Sequence, residues 1–273
     1  MGYRTLALHK QGPLAILRLA RPAQGNPIDR LFLQELDEAC ASINDEPDVR
    51  VAVLTAEGDV FSTGWEPAEL PPGADSPQAK SPEAFDPAEW RRRWSAFGGL
   101  PTFAALESMG QPVVCALNGD ARSAGLELAL ACDLRLAAQG ARFSLPETAQ
   151  GLLPMAGGTQ RLARLVGRGE ALRLILLGEE IDANEALRIG LVSAVFPRDP
   201  LAAEAEALAL RMAARGPIAL RYAKEAVRRG LEQPLDQALR FETDLTVILQ
   251  TTEDRAEGVR AFLEKREPKF KGR

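Results

Sequence analysis

Hydrophobic positions recur along this chain at two spacings, and the spacing changes from strand-like to helical in its last third. Short apolar runs predict a β-hairpin over 5–19 and a buried strand over 49–55, and leucines at helical spacing predict a helix over 26–42 between them. From residue 200 onward every strong pattern is helical. The sequence therefore predicts an α/β core over 1–197, followed by an all-helical segment over 198–273.

The strongest pattern lies at 112–133, where an apolar run typical of a buried strand ends in a turn and a helix follows. The helical pattern starts at Ser123, with Leu126, Ala129 and Leu130 on one stripe, and Glu127 falls just off that stripe. The backbone amides of Ala124 and Gly125 fall in the first turn, where no intrahelical acceptor exists for them. This corner therefore offers unpaired donors and a carboxylate where a negative charge can develop on a substrate.

A glycine-containing loop and a proline-rich stretch follow the 49–55 strand. Glycines at 58 and 64 leave the loop backbone able to approach a ligand closely. The stretch 67–87 holds six prolines, and we interpret it as an irregular surface excursion because the core pattern resumes after it. The remaining predicted strands lie at 134–138, 142–144 and 191–196. The remaining predicted helices lie at 86–94, then up to Met109, at 159–166, at 170–177, from Asp182, and at 201–214, 218–229 and 234–250. Thr251 is predicted to cap a final helix.

Charge and length limit the class of partner. The 273 residues carry 33 Lys and Arg against 38 Asp and Glu, a net charge of −5 at pH 7. That balance argues against nucleic acid or an anionic membrane as the main partner. No apolar run is long enough to cross a bilayer, and a strand-like pattern starts too early for a signal peptide, so we expect a cytoplasmic protein.

Cysteine and histidine usage excludes several kinds of site. Cys40, Cys115 and Cys132 are odd in number and lack CxxC spacing, so we expect reduced core residues rather than a disulfide or zinc framework. His9 is the only histidine. A Ser-His-Asp triad or a multi-histidine metal site would have to use it, and a lone histidine in a strand is usually structural. We therefore expect no metal site.

Seven short segments combine turn glycines, prolines and acidic residues in an order that a known family shares. They are Arg21-Pro22 with Asn26-Pro27-Ile28-Asp29; Val53-Leu54-Thr55 with Phe61-Ser62-Thr63-Gly64; Asn118-Gly119 with Gly125-Leu126-Glu127-Leu128 and Cys132-Asp133; Phe143 with Pro146-Glu147; Gly151 with Pro154; Gly157-Gly158-Thr159-Gln160-Arg161-Leu162; and Glu257-Gly258 with Ala261-Phe262-Leu263-Glu264-Lys265-Arg266. Each is weak alone. In this order they resemble the crotonase, or enoyl-CoA hydratase/isomerase, superfamily along nearly the whole chain.

The resemblance implies a crotonase-like spiral of ββα turns with an all-helical C-terminal segment that builds homotrimers, often stacked into hexamers. It implies an acyl-CoA thioester as substrate, with coenzyme A as part of that substrate and no separate cofactor. It also implies that two backbone amides stabilise an enolate-like oxygen. By position, these amides belong to Trp65 and Ala124, and losing one such donor typically costs about 3 kcal/mol of barrier.

The resemblance further implies that Glu127 and Glu147 are the catalytic acids. Adding water across a conjugated double bond needs a base for the water at C3 and a proton for C2, which two carboxylates on one face of the substrate can supply. We assign Glu127 to holding and activating the water and Glu147 to delivering the C2 proton, with sharing of these roles left open. The expected reaction is hydration of a trans-2-enoyl-CoA to a 3-hydroxyacyl-CoA.

Contacts to coenzyme A and substrate are implied at eight positions. They are Ala23, Gln24, Gly25, Ala68, Leu70, Gly125, Phe262 and Lys265. The last two match positions that in relatives reach a neighbouring subunit's acyl-CoA site. Lys265 would meet a phosphate as a point charge, although a solvated lysine on a terminal helix is the equally weighted alternative.

Two other functions stay open from the sequence. A Δ3-Δ2-enoyl-CoA isomerase, or another acyl-CoA lyase of the superfamily, would use mainly Glu147 as a proton shuttle. A binding protein that keeps the fold without turnover, with RNA as its ligand, is disfavoured by the net negative charge and by the presence of both acids.

Overall fold

The structure of the chain is a computed structural model that describes residues 2–66 and 102–273. The predicted excursion over 67–87 and the predicted helix over 86–94 lie outside the described residues, as do Ala68 and Leu70. The described strands are β1 (Leu6–Gln11), β2 (Leu14–Leu19), β3 (Val51–Ala56), β4 (Val60–Ser62), β5 (Val113–Leu117), β6 (Asp120–Arg122), β7 (Leu134–Ala138), β8 (Arg142–Ser144), β9 (Ile181–Asp182) and β10 (Ala194–Phe196).

Helices connect these strands and form the end of the chain. They are α1 (Arg30–Asn44), α2 (Ala104–Glu107), α3 (Ala124–Leu130), α4 (Gly158–Val166), α5 (Arg168–Leu177), α6 (Ala183–Arg188), α7 (Arg198–Ala213), α8 (Pro217–Gly230), α9 (Leu235–Leu249) and α10 (Glu253–Leu263), with short 3-10 turns at Pro22–Gln24 and Pro146–Gln150. The caps follow local chemistry, since the Asp29 side chain accepts from Phe32 N and the Asp182 side chain accepts from Glu185 N. The predicted Thr251 cap is wrong by one position, because Thr252 accepts from Arg255 N.

The described strands form two sheets. The larger has the order β1-β2-β3-β5-β7-β10 and the smaller the order β4-β6-β8-β9. Apart from the antiparallel pairs β1–β2 and β8–β9, neighbouring strands are parallel. Each of β3, β5 and β7 is followed at once by a strand of the smaller sheet. This repeat is the predicted spiral, and it brings the ends of β4, β6 and β8 together.

The centre of the molecule is the strand, turn and helix at 112–133. All five residues of β5 are buried, as the apolar run predicts. The single apolar stripe predicted for α3 is wrong, because all seven residues of that helix are buried, Glu127 included. The reason is its position, since α3 packs against β4, β6 and α4 at once and has no solvent-facing side.

The end of the chain is helical from Arg198 onward, apart from its last residues. Helix α7 packs against β2, β3, β5 and β7, and α8 packs against α9. An ion pair of 2.8 Å between Lys224 Nζ and Asp133 Oδ2 ties α8 to the end of the central segment. The first of these helices therefore covers the larger sheet, and the predicted domain boundary at residue 198 stays a prediction.

Several residues singled out in the sequence have no part in a polar site. The three cysteines are free and buried, as predicted. His9 lies exposed on β1, opposite Ile16. Among the helices of the described ranges, none has both the length and the apolar composition that a membrane span requires.

Candidate active site

Glu127 is a completely buried carboxylate with one anchored oxygen. Its Oε1 accepts hydrogen bonds from Ala156 N at 2.8 Å and Gly158 N at 2.7 Å. Its Oε2 is equally buried and has no hydrogen-bond partner in the described part of the chain. Buried polar atoms are normally paired, so Oε2 marks a place for a hydrogen-bonding group that the protein itself does not supply.

The anchor for Glu127 requires glycine at two positions, Gly157 just before α4 and Gly158 at its first residue. Gly157 has φ +105, which side chains with a Cβ rarely adopt. A Cβ on Gly158 would lie 2.9 Å from Glu127 Oε1 and 2.9 Å from Pro154 Cβ. Glycine at 158 thus lets the first amide of α4 reach the carboxylate, where the helix N-terminus also favours negative charge.

Glu147 is the second buried carboxylate, and it is held differently. It lies in the 3-10 turn Pro146–Gln150, and neither of its oxygens has a hydrogen-bond partner within the described ranges. The turn itself is fixed by the hydroxyl of Thr148, which donates to Ile175 O at 2.7 Å near the end of α5. The backbone therefore positions Glu147 and leaves its carboxylate without an anchor.

Burial raises the pKa of both acids, and the negative charge of Glu147 adds to the rise at Glu127. Desolvation, together with the negative charge of Glu147, raises the pKa of Glu127 to about 7, against the lowering effects of the Gly158 and Ala156 amides and the Arg161 charge. Desolvation also raises the pKa of Glu147, and the nearby Ser123 hydroxyl offsets part of that rise. A carboxyl with a pKa near neutrality can both take up and release a proton at physiological pH.

The two segments that hold the predicted amide donors lie in contact with each other. They leave the parallel strands β4 and β6 at the same edge of the smaller sheet. A Cβ on Gly64 would lie 2.6 Å from Ser123 Cβ, and one on Gly125 would lie 2.6 Å from Ser62 Cβ. Trp65 follows Gly64 and Ala124 follows Ser123, so the two backbone segments that carry the predicted donors lie next to each other.

Backbone strain occurs at the residue just before Ala124. Ser123 has φ 52 and ψ −130, a conformation that costs a non-glycine residue free energy and persists where the surrounding structure enforces it. Its amide donates to Ser144 O at 3.0 Å, which ties this residue to β8. Ala124 then begins α3, so its amide lies in the turn that has no intrahelical acceptors.

Ser62 and Asn26 join this corner to the segment around Ala23, Gln24 and Gly25. The Ser62 hydroxyl donates to Asn26 O at 2.8 Å and accepts from Gly64 N at 3.1 Å. The Asn26 side chain donates to Glu57 O and Val60 O, both at 2.9 Å. One buried network therefore sets the positions of the 62–65 loop and the 23–26 segment together.

Comparison with known proteins decides the family. A family model described as enoyl-CoA hydratase/isomerase matches residues 9–273. The chain belongs to this family. Crotonyl-CoA hydratase of Syntrophomonas wolfei is 37% identical over 272 residues, 99% of both chains. The 2,3-dehydroadipyl-CoA hydratase of Escherichia coli is 39% identical over 268 residues, 98% of this chain and 99% of that protein.

A solved structure gives the same result for the fold of this enoyl-CoA hydratase/isomerase family member. The crystal structure of an enoyl-CoA hydratase from Bacillus anthracis superimposes with a TM-score of 0.88 at 36% identity, covering 99% of this chain and 100% of that one. The predicted superfamily and the predicted crotonase-like fold are confirmed.

The other implied substrate contacts divide into two groups within this family fold. Ala23 and Gln24 are exposed in the 3-10 turn that Gly25 ends, and a Cβ on Gly25 would lie 2.6 Å from Thr63 Cγ2. These residues thus adjoin the 62–65 loop. Phe262, 82% exposed, and Lys265, also exposed, lie at the end of α10, and no contact within the described ranges joins them to the carboxylates.

Several contributors to the site received no individual role from the sequence, and three of them show why. They are the Ala156 amide, the Ser62 hydroxyl and the Arg161 guanidinium. Ser62 and Arg161 lie inside family-like motifs, which is the only signal that marks them in the sequence. Ala156 lies beside such a motif and contributes only a backbone amide, which its residue type does not specify.

Proposed function

We propose that this protein is an enoyl-CoA hydratase that adds water to a trans-2-enoyl-CoA and gives a 3-hydroxyacyl-CoA. One observation carries the proposal: two acids, Glu127 and Glu147, are buried close enough for the charge of Glu147 to raise the pKa of Glu127, and three of their four oxygens have no hydrogen-bond partner in the described chain. The names of the two similar proteins, crotonyl-CoA hydratase and 2,3-dehydroadipyl-CoA hydratase, support the same reaction type. Coenzyme A enters as part of the substrate, and no further cofactor is proposed.

In the proposed reaction, water binds at Glu127 Oε2 while Oε1 stays fixed by the Ala156 and Gly158 amides. Glu127 takes a proton from the water as its oxygen bonds to C3, and the π electrons of the double bond move toward the thioester. Protonated Glu147 gives its proton to C2. The proton gained by Glu127 passes back to Glu147, so the net change is H on C2 and OH on C3.

The amides of Trp65 and Ala124 are proposed to hold the thioester oxygen while it carries negative charge. The contact between the 62–65 loop and the start of α3 supports this role. A rigid pair of donors needs no reorganisation as the charge develops, which is why such pairs lower barriers effectively. Ala23, Gln24, Gly25, Ala68, Leu70 and Gly125 are proposed to line the path of coenzyme A and the acyl group.

We further propose a homotrimer, or a hexamer of two trimers, in which Phe262 and Lys265 contact a neighbour's substrate. Large apolar side chains exposed on the last three helices support association, among them Val227, Leu231, Leu235 and Phe262. Free buried thiols are typical of a reducing compartment, so a cytoplasmic location is proposed.

The test uses purified protein with crotonyl-CoA and, in parallel, a 3-enoyl-CoA. Loss of the conjugated enoyl absorbance with formation of 3-hydroxybutyryl-CoA is the expected result. Isomerase activity is the second candidate, because Glu147 alone has both oxygens unpaired in the described residues and one carboxylate can move a proton between two carbons. Conjugation of the 3-enoyl-CoA without hydration of crotonyl-CoA would overturn the hydratase proposal in favour of the isomerase.

A further inference from the structure

Arg161, on α4, contacts the turn that anchors Glu127, yet the reaction proposed above gives it no role. Its Nη1 donates to Ala156 O at 2.7 Å, and its Nη2 donates to Glu107 Oε2 at 2.7 Å and to Thr102 O at 3.2 Å. We propose that Arg161 is a positioning residue for Glu127: its guanidinium fixes the 156–158 turn and keeps a positive charge near the carboxylate. This inference rests on the proposed role of Glu127 as the base.

The contacts place Arg161 directly behind the anchor. Ala156 donates its amide to Glu127 Oε1 and accepts from Arg161 through its own carbonyl. The Arg161 amide donates to Gly157 O at 2.8 Å. A Cβ on Gly157 would overlap Arg161 Nη1. The side chain therefore packs against the turn from its far side, and a shift of the guanidinium would move both the Ala156 amide and the carboxylate it holds.

The second end of the guanidinium is occupied by other acceptors. Arg161 Nη2 donates to the Glu107 carboxylate and to the Thr102 carbonyl, and the Arg161 side chain is only 13% exposed. No ion pair within 4.0 Å joins Arg161 to Glu127 among the described residues. Arg161 thus acts on Glu127 through the turn and through its charge, and leaves Oε2 uncovered, whereas a direct ion pair would block the oxygen that the water needs.

The charge of Arg161 acts against the other influences on the base. Burial and Glu147 favour protonated Glu127, while the Gly158 and Ala156 amides and Arg161 favour the ionised form. The Gly158 amide and the Arg161 charge act on Glu127 from α4, the Ala156 amide acts from the turn before α4, and Glu147 acts from the 3-10 turn at 146–150. Removing the positive charge therefore raises the pKa of Glu127 and lowers the fraction of enzyme able to accept a proton at pH 7.

Four variants separate charge from geometry: Arg161→Gln, Arg161→Lys, Glu107→Gln and, as the control, Arg164→Gln. Arg164 lies three residues further along the same helix, 52% exposed and paired with Glu232. The measurements are the pH profile of kcat/KM for crotonyl-CoA, kcat and KM at pH 8, and the oligomeric state. The acid limb is the part of the profile in which kcat/KM rises with pH, and its midpoint reports the pKa of the base in the free enzyme.

Arg161→Gln is expected to move the acid limb up by about 0.5 pH unit, since its charge is the weakest of the named influences on Glu127, and to lower kcat about 30-fold at pH 8, with KM changed less than threefold. Arg161→Lys keeps the charge but not the two-sided contact, so kcat falls about 10-fold and the limb moves by less than about 0.3 unit. Glu107→Gln keeps the guanidinium, and its limb stays in place or moves down. Arg164→Gln matches the unmodified protein.

The inference is overturned if Arg161→Gln lowers kcat without moving the acid limb, or if its activity is unchanged. It is also overturned if Glu107→Gln raises the limb as much as Arg161→Gln does. Should Arg161→Gln be insoluble, Arg161→Lys decides the geometric part, since wild-type kcat in that variant contradicts the positioning role. Glu127→Gln is measured alongside to test the role of Glu127 as the base. Full activity of this variant would contradict the proposed function itself, whereas the outcomes above contradict only the role of Arg161.

Discussion

Two buried acids of this protein both have raised pKa values, but the protein holds their carboxylates in different ways. Glu127 sits on a helix buried on all sides, and two backbone amides fix one of its oxygens. Glu147 sits on a short 3-10 turn, and neither of its oxygens has a partner in the described structure. The turn that carries Glu147 is held through Thr148 instead.

The difference assigns separate tasks to the two acids. An anchored carboxylate with one open oxygen can hold a water molecule in one orientation, because its plane cannot rotate. A carboxyl that no backbone amide anchors keeps a raised pKa, which the nearby Ser123 hydroxyl offsets only in part, and it can release its proton to a carbon atom. We therefore expect the loss of Glu127 to harm orientation and proton transfer together, and the loss of Glu147 to harm proton transfer alone.

Glu127→Gln is expected to have the largest effect. The amide oxygen of glutamine can still accept from Ala156 N and Gly158 N, but the group cannot take a proton, so hydration of crotonyl-CoA falls by roughly 10³-fold or more. Steady-state kinetics at pH 8, with the oligomer checked by size-exclusion chromatography, measures it. Turnover within tenfold of the unmodified protein would remove Glu127 from the mechanism.

Glu147→Gln is expected to lower hydration by roughly 10²- to 10³-fold, because the proton for C2 must then come from solvent. KM should change little, since the 146–150 turn keeps its Thr148 contact. If Glu147→Gln also lost more activity than Glu127→Gln, the division of tasks between the two acids would have to be reversed.

The raised pKa of Glu127 predicts a pH-dependent cost in stability. The folded pKa of Glu127, about 7, lies above the ordinary glutamate value of 4.5. The contribution of this group to stability is therefore fully present below pH 4.5 and is lost as the pH rises toward 7. The loss is on the order of 3 kcal/mol at 1.36 kcal/mol per pH unit. Urea unfolding at pH 5 and pH 8 should show that Glu127→Gln loses less stability over this interval than the unmodified protein. Equal losses would mean that Glu127 is not desolvated.

Gly158→Ala tests the anchor without changing any acid. The new Cβ would meet Glu127 Oε1 at 2.9 Å and Leu145 Cδ1 at 3.1 Å, so the carboxylate must shift and kcat is expected to fall by roughly 10- to 100-fold. Gly169→Ala is the matched control, because a Cβ there meets nothing within 4 Å. Equal activity of the two variants would show that the close contact at Gly158 does not matter.

Thr148→Val should have the smallest effect of the series. It removes the hydrogen bond to Ile175 O and loosens the turn that carries Glu147, so a decrease in kcat of a few-fold is expected. Thr148→Ser keeps the hydroxyl and serves as the control. Unchanged kcat in the valine variant, or a decrease confined to the serine variant, would show that the hydrogen bond to Ile175 O does not matter.

The sequence predicts much of the fold because the central strands are short apolar runs bounded by turn residues. The predicted strands at 134–138 and 142–144 match β7 and β8. The predicted strand at 191–196 shortens to Ala194–Phe196, because Leu191 N and Val192 N bond to Ala186 O at the end of α6. Local pattern cannot anticipate that competition, nor can it anticipate a helix enclosed on all sides, as α3 is.

The candidate site is predictable only in part. Motif resemblance singles out Glu127 and Glu147, and the structure buries both. The anchor of Glu127 comes from amides 29 and 31 residues away. Every residue other than proline has such an amide, so the residue type does not indicate which amides will bind the carboxylate. The role of Arg161 is equally unpredictable from the sequence, because it depends on a turn that only the folded chain brings against α3.

The central claim is that one water molecule and one thioester meet both acids in a single cavity. A crystal structure of the protein with a non-reactive enoyl-CoA analogue tests it most directly. We expect an ordered water within about 3 Å of Glu127 Oε2 and of one Glu147 oxygen, next to C3 of the analogue. An analogue bound with its C2 and C3 atoms beyond hydrogen-bond and contact reach of both carboxylates would contradict it.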